Sequence, residues 1–583
     1  MSLPPLANIF ARFHPDPGAS MAFKEELTRS GEFTEVWSPD ASWVVGVKAL
    51  PNSRSDGGVA RAQGLAFAEG REAIGAGFED PEAALGMLVD CVENAPAGLD
   101  KIAGDFTFVR FGKHGEVTVV RSCGGEVPFY LWRSGDGAAV STSLTWMARF
   151  AARSAKPDGL VSALWAVGWS WFPDRRSPLA GVTVLPRGNF ASFWPGREFE
   201  IREYWNPRPA TMADYSEAEA AGRAEKFREL LIAKLTRDLD PDGGNLLTLS
   251  GGVDSSALGA LAGGLLQRNV WSLSLLPEPE EAYQREMSFI EPLAGNLGFK
   301  RRWIHRVTSE SQLAMLREAP AVAFPIIHPA LCRLPGIQKE APVRVLFGGE
   351  FADRLCGCVS TIPDFMAVSS TSEILRHFGL SSLGRQLLLS RAKRLLTGGR
   401  SDEAVPFPDD LPILFSRELR EEVREMHDRA RRIAAADEGP WKQLSMFLQL
   451  DGWLAMNWEA ASALGIRRST PYFQRESIEL TYACHPAELV GPGTKKILRR
   501  ALKEDVPGRN LWREDKGTWG EYLLQGDLKA FHWEAPLPDY LSGVVRADWA
   551  PAPPKEIDFA SAKRLTRLLV FGDSLQNVQR MRS

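Results

Sequence analysis

The tightest constraint on this chain is the stretch Leu246-Leu247-Thr248-Leu249-Ser250-Gly251-Gly252-Val253-Asp254-Ser255-Ser256, an apolar run that ends in paired glycines and passes into small residues. That order predicts a buried strand, a glycine turn and a helix start. Two adjacent glycines let backbone amides approach an anion, Ser255 and Ser256 add hydroxyl donors, and the following helix aims its positive end at the same point. The expected product is a polyphosphate cradle built from Leu249, Ser250, Gly251, Gly252, Ser255 and Ser256. No lysine precedes the serines, which excludes the loop that sets a lysine on the β- and γ-phosphates. A carboxylate stands there instead, and Asp254 beside phosphates suits a magnesium ion. The competing reading is a glycine-rich connection without a ligand, but Ser-Gly-Gly-x-Asp-Ser directly after an apolar strand is far more specific than a lone glycine pattern.

A second stretch, Val343 to Gly357, repeats the design: a β-branched strand ends at Gly348-Gly349 and then places Glu350 and Asp353 three residues apart, on one side of a turn or short helix. Between the two stretches, helical and strand patterns alternate. Ser216 to Glu219 reads as a capping box ahead of Phe227, Leu230, Leu231 and Leu235 at helical spacing; a small-residue helix follows over 257–266, then a strand over 270–275, an amphipathic helix over 283–297 and a strand over 302–307. This is the order of a doubly wound α/β parallel sheet, whose ligands sit at the carboxyl ends of the strands.

The first two hundred residues read differently. Short strands such as Ser42 to Val47, Gly104 to Phe111 and Val117 to Arg121 are broken by Gly, Asp and Pro, with helical periodicity near 81–92, which predicts an α+β sandwich of two sheets with helices outside. A net charge of −4 and a pI near 6.2 supply no field to draw nucleic acid or an anionic membrane. No apolar run approaches the length of a membrane span and the N-terminus lacks a basic start, so the expected compartment is the cytoplasm. Six scattered cysteines predict reduced, structural thiols.

Taken in order, Leu99 to Phe111, Val119 to Tyr130, Ser141 to Trp146, Leu179 to Gly188 and Tyr204-Trp205 resemble the glutamine amidotransferase domain that precedes the synthetase domain in asparagine synthetases and β-lactam synthetases. The resemblance implies an N-terminal glutamine amidotransferase-like (Ntn-type) α+β sandwich over 1–208 and an α/β ATP pyrophosphatase (synthetase) domain over 209–583, with a helical insertion at about 365–440. It also implies site roles. ATP and Mg2+ are the expected cofactors, Asp254 and Asp353 the metal ligands, and Gly348 and Gly349 part of the pyrophosphate site. Glu350 falls where the family places a group that assists deprotonation of the attacking amine, and Lys516 matches the lysine that neutralises charge on the phosphate and acyl intermediate. Further matches run through Arg468 to Phe473, Lys495 to Arg499 and Arg513 to Gly517. The competing readings are a helix cap for Glu350 and Asp353, and an exposed loop lysine for Lys516.

The departures from the family pattern narrow the function. Active glutaminases carry a cysteine directly after the initiator Met, whereas this chain has Ser2; the oxyanion-hole Asn-Gly falls at Glu69-Gly70, where a carboxylate would repel the developing charge. Gly348, Phe351 and Arg354 replace Ser, Gly and Glu, and Gln474 replaces Asp. A dead glutaminase makes an amine on the substrate itself the natural nucleophile, and ring closure then gains from effective concentration. The expectation is an AMP-forming amide ligase, a lasso peptide macrolactam cyclase, that takes a linear precursor peptide and works beside a leader peptidase and a leader-recognition protein. Its basic helices, with Arg385, Arg391, Lys393, Arg394 and Arg400, could accommodate a peptide, although a solvated face accounts for most such charges. The rivals are a β-lactam or carbapenam synthetase, an ammonia-using asparagine synthetase and a non-catalytic nucleotide-binding scaffold.

Overall fold

Strands up to Glu203 form two antiparallel sheets, and strands from Asn245 onward form one parallel sheet. The computed structural model describes residues 7–49, 64–68, 90–91, 98–99, 106–166, 172–206, 215–277, 279–306, 329–358, 361–397, 415–436, 452–491, 494–513, 544, 568, 575 and 579–580. The expected helix near 81–92, Ser2, Glu69-Gly70, Arg400 and Lys516 lie outside the described residues, apart from positions 90 and 91.

The first sheet holds β1 (Ala7–Phe13), β2 (Glu35–Trp37), β3 (Trp43–Ala49), β7 (Phe129–Ser134), β8 (Gly137–Ser141) and β9 (Val182–Leu185), in the order β2-β3-β1-β8-β7-β9. The second holds β4 (Gly64–Ala68), β5 (Phe106–Phe111), β6 (Val117–Arg121), β10 (Asn189–Phe193) and β11 (Glu200–Glu203), in the order β11-β10-β6-β5-β4. Alternation with period two lets each strand of the first sheet serve two cores. Ile9, Ala11, Phe13, Val45 and Val140 meet Val109, Val119, Ala191 and Phe193 of the second sheet. Phe10, Val44, Tyr130 and Ala139, one residue out of step, pack with the apolar helix Gly159–Ala166. A two-sheet sandwich with helices on an outer face is what the short-strand pattern predicts.

The parallel sheet holds β12 (Asn245–Thr248), β13 (Val270–Leu276), β14 (Arg302–Arg306), β15 (Val345–Phe347) and β16 (Arg467–Ser469), in the order β14-β13-β12-β15-β16. Every pair is parallel. The long helix Glu217–Asp238 starts at Ser216, whose side chain accepts from the Glu219 amide, and buries Phe227, Leu231 and Leu235. The helix expected from residue 257 begins earlier, at Val253, and gives way to a π-helical turn at Ala260–Leu265. It starts there because the glycine turn leads straight into it. Helices Ile362–Val368, Thr371–Phe378, Ser382–Thr397 and Arg417–Ala436 supply the helical region. The six cysteines are free and five are buried; burial pushes the Cys356 and Cys484 thiols well up, which leaves them unreactive. Among the described residues no helix is long and apolar enough to cross a membrane.

One buried carboxylate joins the antiparallel sandwich to the region around the parallel sheet. Glu459, on helix Gly452–Ala463, accepts from Ser143 Oγ at 2.8 Å and from the amides of Leu144 and Thr145 at 2.9 Å each. Burial pushes its carboxyl up while those donors pull it down. Glu459→Ala would strand three buried donors, so it is expected to cost about 3 kcal/mol. Scanning calorimetry would read this as a lower midpoint, with Glu459→Gln recovering part of it.

Candidate active site

The chain leaves β12 for β13 on one side and returns as β15 on the other, so a crevice opens between the carboxyl ends of β12 and β15. Both glycine stretches meet there.

The first turn is shaped by Gly251, at φ +69°, where an added Cβ would also lie 2.9 Å from Phe289 Cβ. Ser255 closes the turn on itself: its Oγ accepts from the Ser250 amide at 3.1 Å and donates to Gly252 O at 3.3 Å. The turn's carbonyls are held from behind. Asn510 Nδ2 donates to Gly251 O at 3.0 Å, and Arg513 Nη1 to Ser250 O at 3.4 Å. Arg513 is in turn fixed by Glu286 at 2.7 Å, with both side chains buried. Carbonyls tied down in this way cannot flip toward an incoming anion. Ser256 Oγ, at the start of the helix, is buried with no hydrogen-bond partner among the described residues.

The second turn lies against the first. A Cβ on Gly349 would sit 2.6 Å from Asp254 Cβ, and one on Gly348 would sit 2.3 Å from Thr248 Oγ1, so both positions need glycine for the turns to touch. Asp254 and Asp353 consequently face one point, which Lys495 Nζ occupies at 2.5 Å from Asp254 Oδ2 and 2.6 Å from Asp353 Oδ1. Asp254 and Lys495 are buried, while Asp353 is half exposed. Burial by itself would lower the ammonium's pKa, but the two carboxylates outweigh it and hold it above the usual lysine value. The Tyr472 hydroxyl donates to Asp254 O at 2.9 Å and braces the same corner.

Glu350 points elsewhere, to Arg468 on β16, with Nη2 to Oε1 at 2.8 Å. Strand alternation separates the neighbours of Arg468 from this contact: Ser469 donates to Asp238, and Arg467 helps to hold the Asp238 carboxyl low. Phe351 follows Glu350 at φ +67°, a left-handed conformation that a bulky side chain rarely adopts. Its ring lies 4.4 Å from Phe473 and 5.3 Å from Trp453, and the Arg468 guanidinium stacks 4.3 Å over Trp453. An aromatic wall thus stands beside Glu350.

The asparagine synthase family profile matches residues 226–533, just over half of the 583 residues, and spans both turns, β16 and Lys495. The chain belongs to this family. No curated protein matches the sequence. Among solved structures the chain is similar to the allosteric regulatory enzyme of purine biosynthesis, at 9% identity over 52% of this chain and 81% of that one, with a TM-score of 0.22. It is also similar to the NH3-dependent NAD synthetase of Campylobacter jejuni subsp. jejuni, at 13% identity over 35% of this chain and 93% of that one, TM-score 0.19. For NMN synthetase from Francisella tularensis the figures are 15%, 38%, 96% and 0.17. At these TM-scores the structural likenesses decide nothing about this chain; family membership is what marks it as an ATP-dependent ligase.

The structure brings together Ser250 to Ser256, Gly348, Gly349, Glu350 and Asp353, as the two glycine stretches predict. Lys495, Arg468, Asn510 and Arg513 were not singled out for roles by sequence reasoning. Lys495 was findable as the first residue of the Lys-x-x-Leu-Arg match; Arg468 was not, because only strand alternation separates it from Arg467. The residues present fit the expected magnesium. Asp254 and Asp353 already converge on one cation, and no cluster of three or more His, Cys, Asp or Glu could hold a metal among the described residues. Two hard carboxylates with the rest of the shell left to phosphates and water is the magnesium pattern.

Proposed function

We propose that the chain is an AMP-forming amide ligase that adenylates an Asp or Glu side chain of a linear peptide and closes a macrolactam with the peptide's N-terminal amine. The observation that carries this reading is the separation of carboxylates across Gly348-Gly349: Asp254 and Asp353 share an ammonium on the phosphate side, while Glu350 pairs with a guanidinium beside an aromatic wall. The substrate carboxylate attacks the α-phosphorus of ATP and releases pyrophosphate into the turn at Ser250 to Ser256, where Lys495 exchanges carboxylate partners for phosphate oxygens. A magnesium ion held by Asp254 and Asp353 would neutralise the charge of the departing pyrophosphate. The amine then attacks the acyl carbon, Glu350 accepts its proton, and the acyl–phosphate bond breaks to give amide and AMP. Lys516 is assigned to the charge on the acyl intermediate.

Ring closure is favoured over ammonia transfer because Ser2 stands where a glutaminase needs cysteine and Phe351 sets a ring against Phe473 next to Glu350 where the family has glycine. A linear precursor peptide, a leader peptidase and a leader-recognition protein are the partners this reading requires, and 1–208 is then a degenerate amidotransferase-like domain. Pyrophosphate exchange tests the reading: a linear peptide should support exchange and lose one water on mass spectrometry. Exchange with aspartate alone would overturn it, and the absence of exchange with every candidate substrate would favour a scaffold.

A further inference from the structure

If the N-terminal sandwich has lost its own chemistry, its contacts with the ligase site need an explanation. One of them enters that site. Arg121, at the end of β6, is fully buried and donates through Nε to Val127 O at 3.1 Å, through Nη2 to Gly125 O at 2.7 Å and through Nη1 to Leu185 O at 2.9 Å. It clamps the backbone on both sides of Glu126. Gly125, at φ +66°, makes the turn, and Val127 packs on Trp458 across the junction. So fixed, the buried Glu126 carboxylate accepts from the Thr470 amide at 2.6 Å and from the Thr470 hydroxyl. Thr470 directly follows β16, the strand that carries Arg468. The Arg187 guanidinium adds a second contact from the sandwich, 4.7 Å over the Phe473 ring.

We propose that Glu126 is a positioning residue for amide formation: the sandwich, through Glu126, seats β16 and sets the field at Arg468, and Arg468 in turn holds Glu350. Glu350 pairs with the buried Arg468 guanidinium from the ligase crevice, and Glu126, held at Thr470 two residues along, adds a second negative charge from the sandwich. Burial lowers the Arg468 pKa and both carboxylates oppose that fall, so Glu126 shares the countercharge that Glu350 would otherwise supply alone. Without the Glu126 charge, Arg468 acts more strongly on Glu350 and makes it a weaker base. On the phosphate side Asp254 and Asp353 pair with Lys495, and Glu126→Gln keeps the acceptor at Thr470 that seats the segment leading to Tyr472 and its contact with Asp254 O.

The inference rests on the proposed function for its chemical step. Glu126→Gln keeps an acceptor for Thr470 and removes the charge; Glu126→Asp keeps the charge and shortens the reach. Glu126→Gln is expected to leave pyrophosphate exchange within about twofold, to slow amide formation in single turnover roughly 10- to 100-fold, and to move the acid limb of that step to lower pH. Glu126→Asp should leave the acid limb in place. Parallel loss of exchange and amide formation, or an unchanged pH profile in Glu126→Gln, would overturn the proposal. A readout without substrate is hydrogen–deuterium exchange over 467–473, which should rise in Glu126→Ala. No rise sinks the positioning role whatever the reaction is. A wild type that shows no pyrophosphate exchange with any carboxylate substrate overturns the proposed function instead, and the deuterium result still decides the seating of β16.

Discussion

Lys495→Met is expected to cut ATP–pyrophosphate exchange roughly 10²- to 10³-fold, the scale of losing one preorganised charge at the point where negative charge departs. The same change is expected to lower the thermal midpoint. Asp254, 6% exposed, would lose a cation at 2.5 Å, and breaking one side of a buried pair costs about 3 kcal/mol or more. Asp353, at 53% exposed, adds little because water screens it. The raised pKa of Lys495 sets the sign of any pH effect: its contribution is fully present below the unfolded lysine value of about 10.4 and fades only as pH rises above it. Stability from this pair is therefore flat through neutral pH.

Magnesium without ATP should raise the midpoint of Lys495→Met more than that of the wild type, since removing the ammonium leaves two converging carboxylates for a divalent ion. Asp254→Ala should also abolish adenylation, but without the extra response to magnesium. Full activity in Asp254→Ala would refute the metal assignment, and wild-type exchange in Lys495→Met would reduce Lys495 to a brace.

Glu350→Gln is expected to separate the two half-reactions. Adenylation should persist within about twofold, while amide formation falls roughly 10²- to 10⁴-fold, the range for removing a positioned general base. Glutamine still offers Arg468 an acceptor at the position of the 2.8 Å contact, but a guanidinium only 4% exposed is then left without that charge. A stability loss of about 2–3 kcal/mol follows from that imbalance. Rapid-quench measurement of adenylate and amide on one sample checks both. Equal loss of the two steps would move Glu350 to phosphate handling.

The glycine turns were legible because each follows an apolar strand and each carries residues whose chemistry is local: amides, hydroxyls and Asp254 in the first, and Glu350 with Asp353 in the second. The doubly wound order was legible for the same reason, since helix and strand periodicities alternate cleanly between Ser216 and Phe347. Glu350 was placed by its motif, yet nothing in Arg467-Arg468 distinguishes the two arginines until β16 is laid beside β15. Phe351 was visible as a departure; its left-handed backbone and its stacking on Phe473 were not.

By itself, the sequence determined that two glycine-bounded strand ends would present Ser250 to Ser256, Asp254, Glu350 and Asp353 at the carboxyl ends of strands in a parallel sheet. Only the tertiary structure decided which cations those carboxylates meet. Lys495 reaches Asp254 across 241 positions, and Arg468 reaches Glu350 across 118. Glu126 reaches Thr470 across 344. A carboxylate announces its chemistry locally, but its partner is chosen by packing, because charges buried far apart in the chain meet only where sheets and helices close over them.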